Sequence, residues 1–157
     1  MLLWLSIIAK RGMSVDAIVR EHWNTYGRNY YTRHDFEEVD AKAAGELIAD
    51  LRATAAEAGK RLGCRIDDFA YDDPVDKSVT KNQGIRLIFP NGDRIVYRLS
   101  GTGTAGATLR VYIESFEADP EKQDRDVQTV LGSLIALSRS EAGIEKRLGR
   151  VAPDVVT

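Results

Sequence analysis

Apolar residues recur at helical spacing early and late in this chain and at strand spacing between. In residues 15–23, Val15, Ile18, Val19 and His22 or Trp23 share one face, which predicts a helix. Ser14 can cap it, Asp16 suits its first turn and Gly27 ends it. A second helical stretch covers residues 35–59, where Ala43, Ala44, Leu47, Ile48, Leu51 and Ala55 repeat at helical spacing and alanine adds propensity. Gly59 and Gly63 break it. Beyond Arg65 the pattern turns to β, and residues 66–71, 85–89, 94–99 and 109–116 read as strands. Pro90-Asn91-Gly92-Asp93 between two of them is a hairpin signal. Residues 121–147 close with a helix whose apolar face is Val127, Val130, Leu131, Leu134, Ile135 and Leu137, and Gly149 and Pro153 mark its end. Residues 28–35 are polar and aromatic without a clean period, so they read as a linker. Helices, then strands, then a helix predict an α+β fold: an antiparallel sheet with helices on one face.

The run Met1-Leu2-Leu3-Trp4-Leu5-Ser6-Ile7-Ile8-Ala9 is the one strongly apolar segment. It is too short to span a bilayer. Lys10 and Arg11 follow it rather than precede it, the wrong order for a secretory signal. It reads as the end of a buried helix whose partners are missing from the chain, with Met1 as an internal start and self-association through residues 1–8 as an expectation. At 157 residues, 43% apolar and 29% charged, the chain has the make-up of an ordinary folded domain with no membrane partner. A net charge of −2 argues against nucleic acid as a partner. Cys64 is the only cysteine, so no intrachain disulfide forms, which fits a reducing compartment such as the cytoplasm.

Candidate chemistry concentrates in Arg98-Leu99-Ser100-Gly101-Thr102-Gly103-Thr104-Ala105-Gly106-Ala107-Thr108-Leu109-Arg110. Gly101, Gly103 and Gly106 permit tight turns and close backbone approach to a ligand. The hydroxyls and free amides can build an anion nest, and an arginine at each end offers the planar fork that suits phosphate. Residues 101–106 match the bare Gly-x-Gly-x-x-Gly pattern, but a β-prone segment follows instead of a helix, so this is not a dinucleotide fingerprint, and it is no P-loop. A hairpin connection that uses glycine for shape alone fits the same composition.

Other clusters carry less. His22 and His34 lack metal-ligand spacing, and His22, beside an apolar helical face, reads as a core or interface histidine rather than a catalytic one. Asp72, Asp73 and Asp76 lack the pattern of a calcium loop and read as a solvated turn. Tyr26, Tyr30 and Tyr31 with Arg28 and Arg33 suit an aromatic linker better than a stacking platform for nucleic acid. Lys77, Lys81 and Arg86 read as surface charges.

Residues 98–110, with Asn82-Gln83-Gly84-Ile85-Arg86-Leu87-Ile88-Phe89 before and Val111-Tyr112-Ile113-Glu114-Ser115-Phe116-Glu117 after, resemble the C-terminal domain of the phosphoglucomutases, in the α-D-phosphohexomutase superfamily. Residues 22–33, Phe36-Glu37-Glu38-Val39, residues 71–76 and the ending 149–157 are similar as well, so the resemblance covers nearly the whole chain. It implies a TATA-binding-protein-like α+β domain over 38–157, an interdomain linker at 28–37, and a helical remnant of the preceding domain at 1–27. It also implies an enzyme of the isomerase class that interconverts glucose 1-phosphate and glucose 6-phosphate, using a phosphoserine, Mg2+ and a glucose 1,6-bisphosphate intermediate. The family's Thr-Ala-Ser-His-Asn-Pro, Asp-Gly-Asp-Gly-Asp-Arg and Gly-Glu-Glu-Ser-Phe-Gly segments are absent here. The resemblance therefore implies no catalytic or metal residue in this chain, and makes the missing N-terminal domains and the hexose phosphate its partners. It makes Arg98, Ser100, Gly101, Thr102, Gly103, Thr104 and Arg110 the substrate-phosphate site, with Arg28 in support. A non-catalytic sugar-phosphate or anion-binding module and an inactive truncated product are the competing readings.

Overall fold

The alternation of residues 107–113 fixes the core. Ala107, Leu109, Val111 and Ile113 are buried while their neighbours are not, so one face of this strand is packed and the other is open. In the computed structural model, which describes residues 2–103 and 106–157, the same alternation runs through a six-stranded antiparallel sheet. Its strands are β1 (Arg28–Val39), β2 (Arg65–Asp72), β3 (Val79–Ile88), β4 (Arg94–Gly103), β5 (Gly106–Glu117) and β6 (Val155–Val156), in the order β2-β3-β4-β5-β1-β6. Ile85 and Leu87 on β3, Ile95 and Tyr97 on β4, and Tyr30 and Phe36 on β1 extend the packed face.

Helix α3 (Ala41–Ala53) covers that face with Ala44, Leu47 and Ile48, and Leu131, Ala142 and Ile144 from the C-terminal helices complete the core. Asp40 starts α3 by accepting a hydrogen bond from the Ala43 amide at 2.8 Å. Tyr97 crosses the core and donates its hydroxyl proton to the Ser138 carbonyl at 2.8 Å; burial pushes its pKa far up, so it stays a donor. Each fully buried large apolar side chain here contributes about 1.5–3 kcal/mol.

Several elements differ from the sequence reading. Residues 28–37, expected as a linker, lie within strand β1 between β5 and β6. Four alternate residues of β1 point into the packed side, but two of them, Thr32 and His34, are polar, so the apolar alternation is diluted. Their polar groups are satisfied. Gln128 donates to Thr32 Oγ1 at 2.8 Å, which leaves its carbonyl oxygen to face His34 Nε2 at 3.1 Å, and Thr32 donates to the Thr157 carbonyl at 3.1 Å. The helix expected from residue 35 therefore starts only at Ala41. It breaks at Thr54 before α4 (Ala55–Leu62), where Thr54 has φ −94° and ψ 1°.

The closing helix is likewise interrupted. A 3-10 turn at Pro120–Lys122 precedes α5 (Val127–Val130), α6 (Gly132–Ala142) and α7 (Ile144–Leu148), with breaks at Leu131 and at Gly143, whose φ is +59°. The short strand β6 has no sequence signal of its own. At the N-terminal end, α1 (Leu2–Arg11) buries none of its residues, and α2 (Val15–Tyr26) starts at Ser14, whose hydroxyl accepts from the Ala17 amide at 3.2 Å. Residues 73–78 form a turn in which Asp73 and Asp76 accept backbone N–H groups, and hydrogen bonding from Ser78, its side chain first and its amide second, holds the Asp76 carboxyl below its usual range.

Candidate functional site

The face of the sheet away from the helices carries one row of residues that runs across five strands. Phe69 on β2 pairs with Gly84 on β3, Arg98 on β4 lies beside Gly84, Arg98 pairs with Arg110 on β5, and Arg110 pairs with Asp35 on β1. Two arginines thus stand directly opposite each other across one antiparallel pair, on the same face. Like charges in that position repel and cost stability, so the pair is a reason to look for an anion.

The glycine-rich stretch is the end of the β4–β5 hairpin rather than a long open loop. Ser100 pairs with Thr108 and Gly103 with Gly106, and the register shifts between Ser100 and Gly103. Gly101 sits at φ +85°, a conformation that favours glycine, and Gly106 at φ +94°. A Cβ on Gly106 would stand 3.1 Å from the Cα of Glu38, at the bulge between Phe36 and Val39 where Glu38 itself has φ +51°. The hairpin end therefore packs closely against the backbone of β1, and a side chain at Gly106 would crowd it. Thr104 lies outside the described residues. Thr102 and Gly103 are described as parts of β4.

The two arginines have different supports. Asp35 is almost fully buried between Arg33 and Arg110, with Arg33 Nε 2.9 Å from one carboxylate oxygen and Arg110 Nε 3.7 Å from the other. Neither contact has hydrogen-bond alignment, and both nitrogens lack a hydrogen-bond partner, so Asp35 acts on them through charge. Arg98 instead donates from Nε to the Gln83 backbone carbonyl at 3.2 Å and from Nη2 to the Gln83 side-chain oxygen at 3.4 Å, and its guanidinium carbon lies 6.0 Å from the centre of the Phe69 ring.

Beside Arg98 the open face forms a depression of about 300 Å³ walled by Tyr31, Phe69, Val96, Tyr112 and two ion-paired arginines. Arg86 makes a two-point bond to Asp67 at 2.8 and 3.0 Å and covers Phe69, which makes it part of a packed pair rather than a loose surface charge. Arg94 pairs with Glu114.

The structure brings Arg98, Ser100, Gly101 and Arg110 together at one end of the sheet and leaves Arg28 away from them. Arg28 pairs with Glu117 at the other end of β1, about 23 Å from Asp35 at about 3.3 Å per residue. There its guanidinium is sandwiched 4.2 Å from both Trp23 and Tyr30 and donates to the Gln123 carbonyl. The tyrosines do not form one platform: Tyr30 is buried on the packed side and Tyr31 is exposed on the open side. Asp35, Arg33, Phe69, Gln83 and Gly84 are absent from the sequence-derived set, because what places them here is strand register. The one signal available was Asn82-Gln83-Gly84, a turn-prone run inside a strand pattern.

A family model described as phosphoglucomutase-1, C-terminal domain, matches residues 28–154. The phosphoglucomutase of Rhizobium radiobacter is 51% identical over 161 residues, and human phosphoglucomutase-1 is 46% identical over 167. Each alignment covers 99% of this chain and 30% of the relative, so the chain spans about 30% of the length of these relatives. Among solved structures, the open form of the Paramecium phosphoglucomutase parafusin superposes with a TM-score of 0.87 at 38% identity, covering 98% of this chain and 28% of that one.

Proposed function

The chain belongs to the phosphoglucomutase family and matches its C-terminal domain, and on that premise we propose that it supplies the clamp for the phosphate group of a hexose phosphate. The observation that carries this reading is the Arg98–Arg110 pair, directly opposite each other in strand register on one face at the glycine-bearing end of the β4–β5 hairpin. A phosphate seated between two guanidinium forks converts their repulsion into charge-assisted hydrogen bonds. Ser100 and Thr102 add hydroxyl donors, Gly101 and Gly103 admit the backbone closely, and Thr104 extends the same run.

In the whole enzyme this clamp holds the phosphate that is not being transferred. Interconversion of glucose 1-phosphate and glucose 6-phosphate then depends on positioning and charge stabilisation, the terms that dominate phosphoryl transfer. We assign the reacting serine, the bisphosphate exchange and the Mg2+ site to parts of the enzyme outside this chain. Among the described residues no group of three or more His, Cys, Asp or Glu is arranged to hold a metal. The domain boundary falls before β1, α1 and α2 belong to the preceding domain, and we place the protein in the cytoplasm, in keeping with its lone free thiol.

Titrating the isotope-labelled chain with glucose 6-phosphate tests the reading. Amides of residues 98–103 and 106–110 should shift saturably, glucose should leave them unmoved, and a coupled assay should show no mutase turnover by the chain alone. No shift at millimolar sugar phosphate would sink the clamp.

A further inference from the structure

We propose that Phe69, Gln83 and Gly84 are positioning residues that hold the Arg98 guanidinium at the mouth of the hairpin while leaving its charge uncompensated. The inference rests on the phosphate-clamp reading and deepens it.

The two clamp arginines are held by opposite means. Arg110 shares a buried carboxylate, Asp35, with Arg33. Part of its charge is therefore balanced before any ligand arrives. Arg98 has no carboxylate within ion-pair distance among the described residues, although Asp67, Glu114 and Asp35 all lie on the same sheet face, paired to other arginines. Its holders are neutral: the Gln83 backbone carbonyl, the Gln83 side-chain oxygen and the face of Phe69. A carbonyl and an amide oxygen fix the direction of two N–H groups without cancelling the positive charge, and an aromatic face attracts a cation at about this range. The remaining N–H groups of the fork stay available to an incoming anion.

Gly84 makes this arrangement possible. It is buried, with φ +154°, and a Cβ there would lie 2.5 Å from the Tyr97 carbonyl oxygen, 2.9 Å from Arg98 Cγ and 3.1 Å from Phe69 Cε1. The arm of Arg98 thus runs over a position where no side chain fits, and Phe69 closes over the bare glycine from the other side. This device also cures the weakness of a glycine within a strand. Phe69 is held in turn by Arg86, which stacks on it at 4.9 Å while bonded to Asp67.

The test uses the ligand-free and titrated chain with Phe69→Leu, Phe69→Tyr and Gln83→Ala, and with Tyr71→Leu as a control on the same strand. Gly84→Ala is less suited because it threatens folding. Relaxation of the Arg98 Nε–Hε resonance reports how firmly the side chain is held, and titration with inorganic phosphate and with glucose 6-phosphate reports affinity. Phe69→Leu and Gln83→Ala should each loosen Arg98 before ligand is added and weaken both ligands about two- to fivefold, the range expected for a single exposed cation–π or hydrogen-bond contact. Phe69→Tyr should restore both readouts, and Tyr71→Leu should change neither. An Arg98 that stays as ordered in Phe69→Leu and Gln83→Ala, with unchanged affinity, overturns the inference alone. An unmutated chain that ignores both phosphates overturns the clamp reading and this inference with it.

Discussion

The decisive residues differ more in their surroundings than in their chemistry. Arg86, Arg94, Arg98 and Arg110 share one open face, yet Arg86 and Arg94 each have a carboxylate partner across the sheet, Arg110 shares Asp35 with Arg33, and Arg98 is held by neutral groups. Replacing Arg110 by alanine should weaken glucose 6-phosphate binding by about 1.5–3 kcal/mol, the range for a hydrogen bond to a charged group. Lysine should recover only part of that loss, since it keeps the charge and loses the fork. Lys81→Ala, an exposed change on β3, should leave affinity unaltered, and titration calorimetry on variants matched for unfolding midpoint distinguishes the cases. If Lys81→Ala lost binding as Arg110→Ala did, the effect would be a general field and not a clamp. His34 gives a second prediction. Burial lowers its pKa, with Arg139 adding to the shift and the Gln128 bond and Asp35 opposing it. A lowered folded-state value means that protonation favours the unfolded chain. His34 should thus contribute fully above about pH 6.5, its unfolded value, and lose that contribution as pH falls toward its folded value, by at most about 1.4 kcal/mol per pH unit. Urea midpoints measured from pH 7.5 to 5 should fall less steeply for His34→Gln than for the parent.

At the scale of elements, pattern and partnership separate. The hairpin turn Pro90-Asn91-Gly92-Asp93 was legible because its chemistry is local: the Phe89 amide donates to the Asp93 carbonyl at 2.9 Å and Asn91 accepts from the Asp93 amide at 3.1 Å. Helices α2 and α3 were legible through Ser14 and the alanine-rich face, though the start of α3 was not, since Asp40 caps it only once β1 has ended at Val39. Strand β1 was missed because Thr32 and His34 stand where apolar residues would have shown the period, and Gln128 and Thr157, far along the chain, are what make them tolerable inside. The arginines of the candidate site stood out as residues, but their opposition is a property of register, which no single segment carries. The hairpin geometry also yields a prediction. Gly101→Ala forces alanine to φ +85° with its Cβ 3.4 Å from the Gly106 carbonyl oxygen, so it should lower stability by about 1–2 kcal/mol, read from the denaturation midpoint.

The whole molecule shows an imbalance between a closed core and a bare end. Leu2, Leu3 and Leu5 on α1 are 81%, 73% and 56% exposed, a contiguous apolar surface that water disfavours. The 157-residue chain should therefore associate with itself through α1, and Leu2→Ser with Leu5→Ser should shift its sedimentation toward monomer; a parent that stays monomeric at every concentration would contradict this. At the other end, Asp154 and Thr157 are stitched to β1 through the Asp35 carbonyl, the Glu37 amide and both backbone groups of Arg33. The first strand in the chain is thus enclosed by two of the last. During synthesis, Phe36 leaves the ribosome long before Leu109, its partner on β5, and longer still before Val155 completes the edge at Asp35. For that interval Tyr30, Phe36 and Val39 have no lasting cover, and the emerging segment is a client for whatever shields nascent chains. A stalled nascent chain cut off at residue 105 should remain protease-sensitive throughout β1, and release of the full length should protect it in a single step.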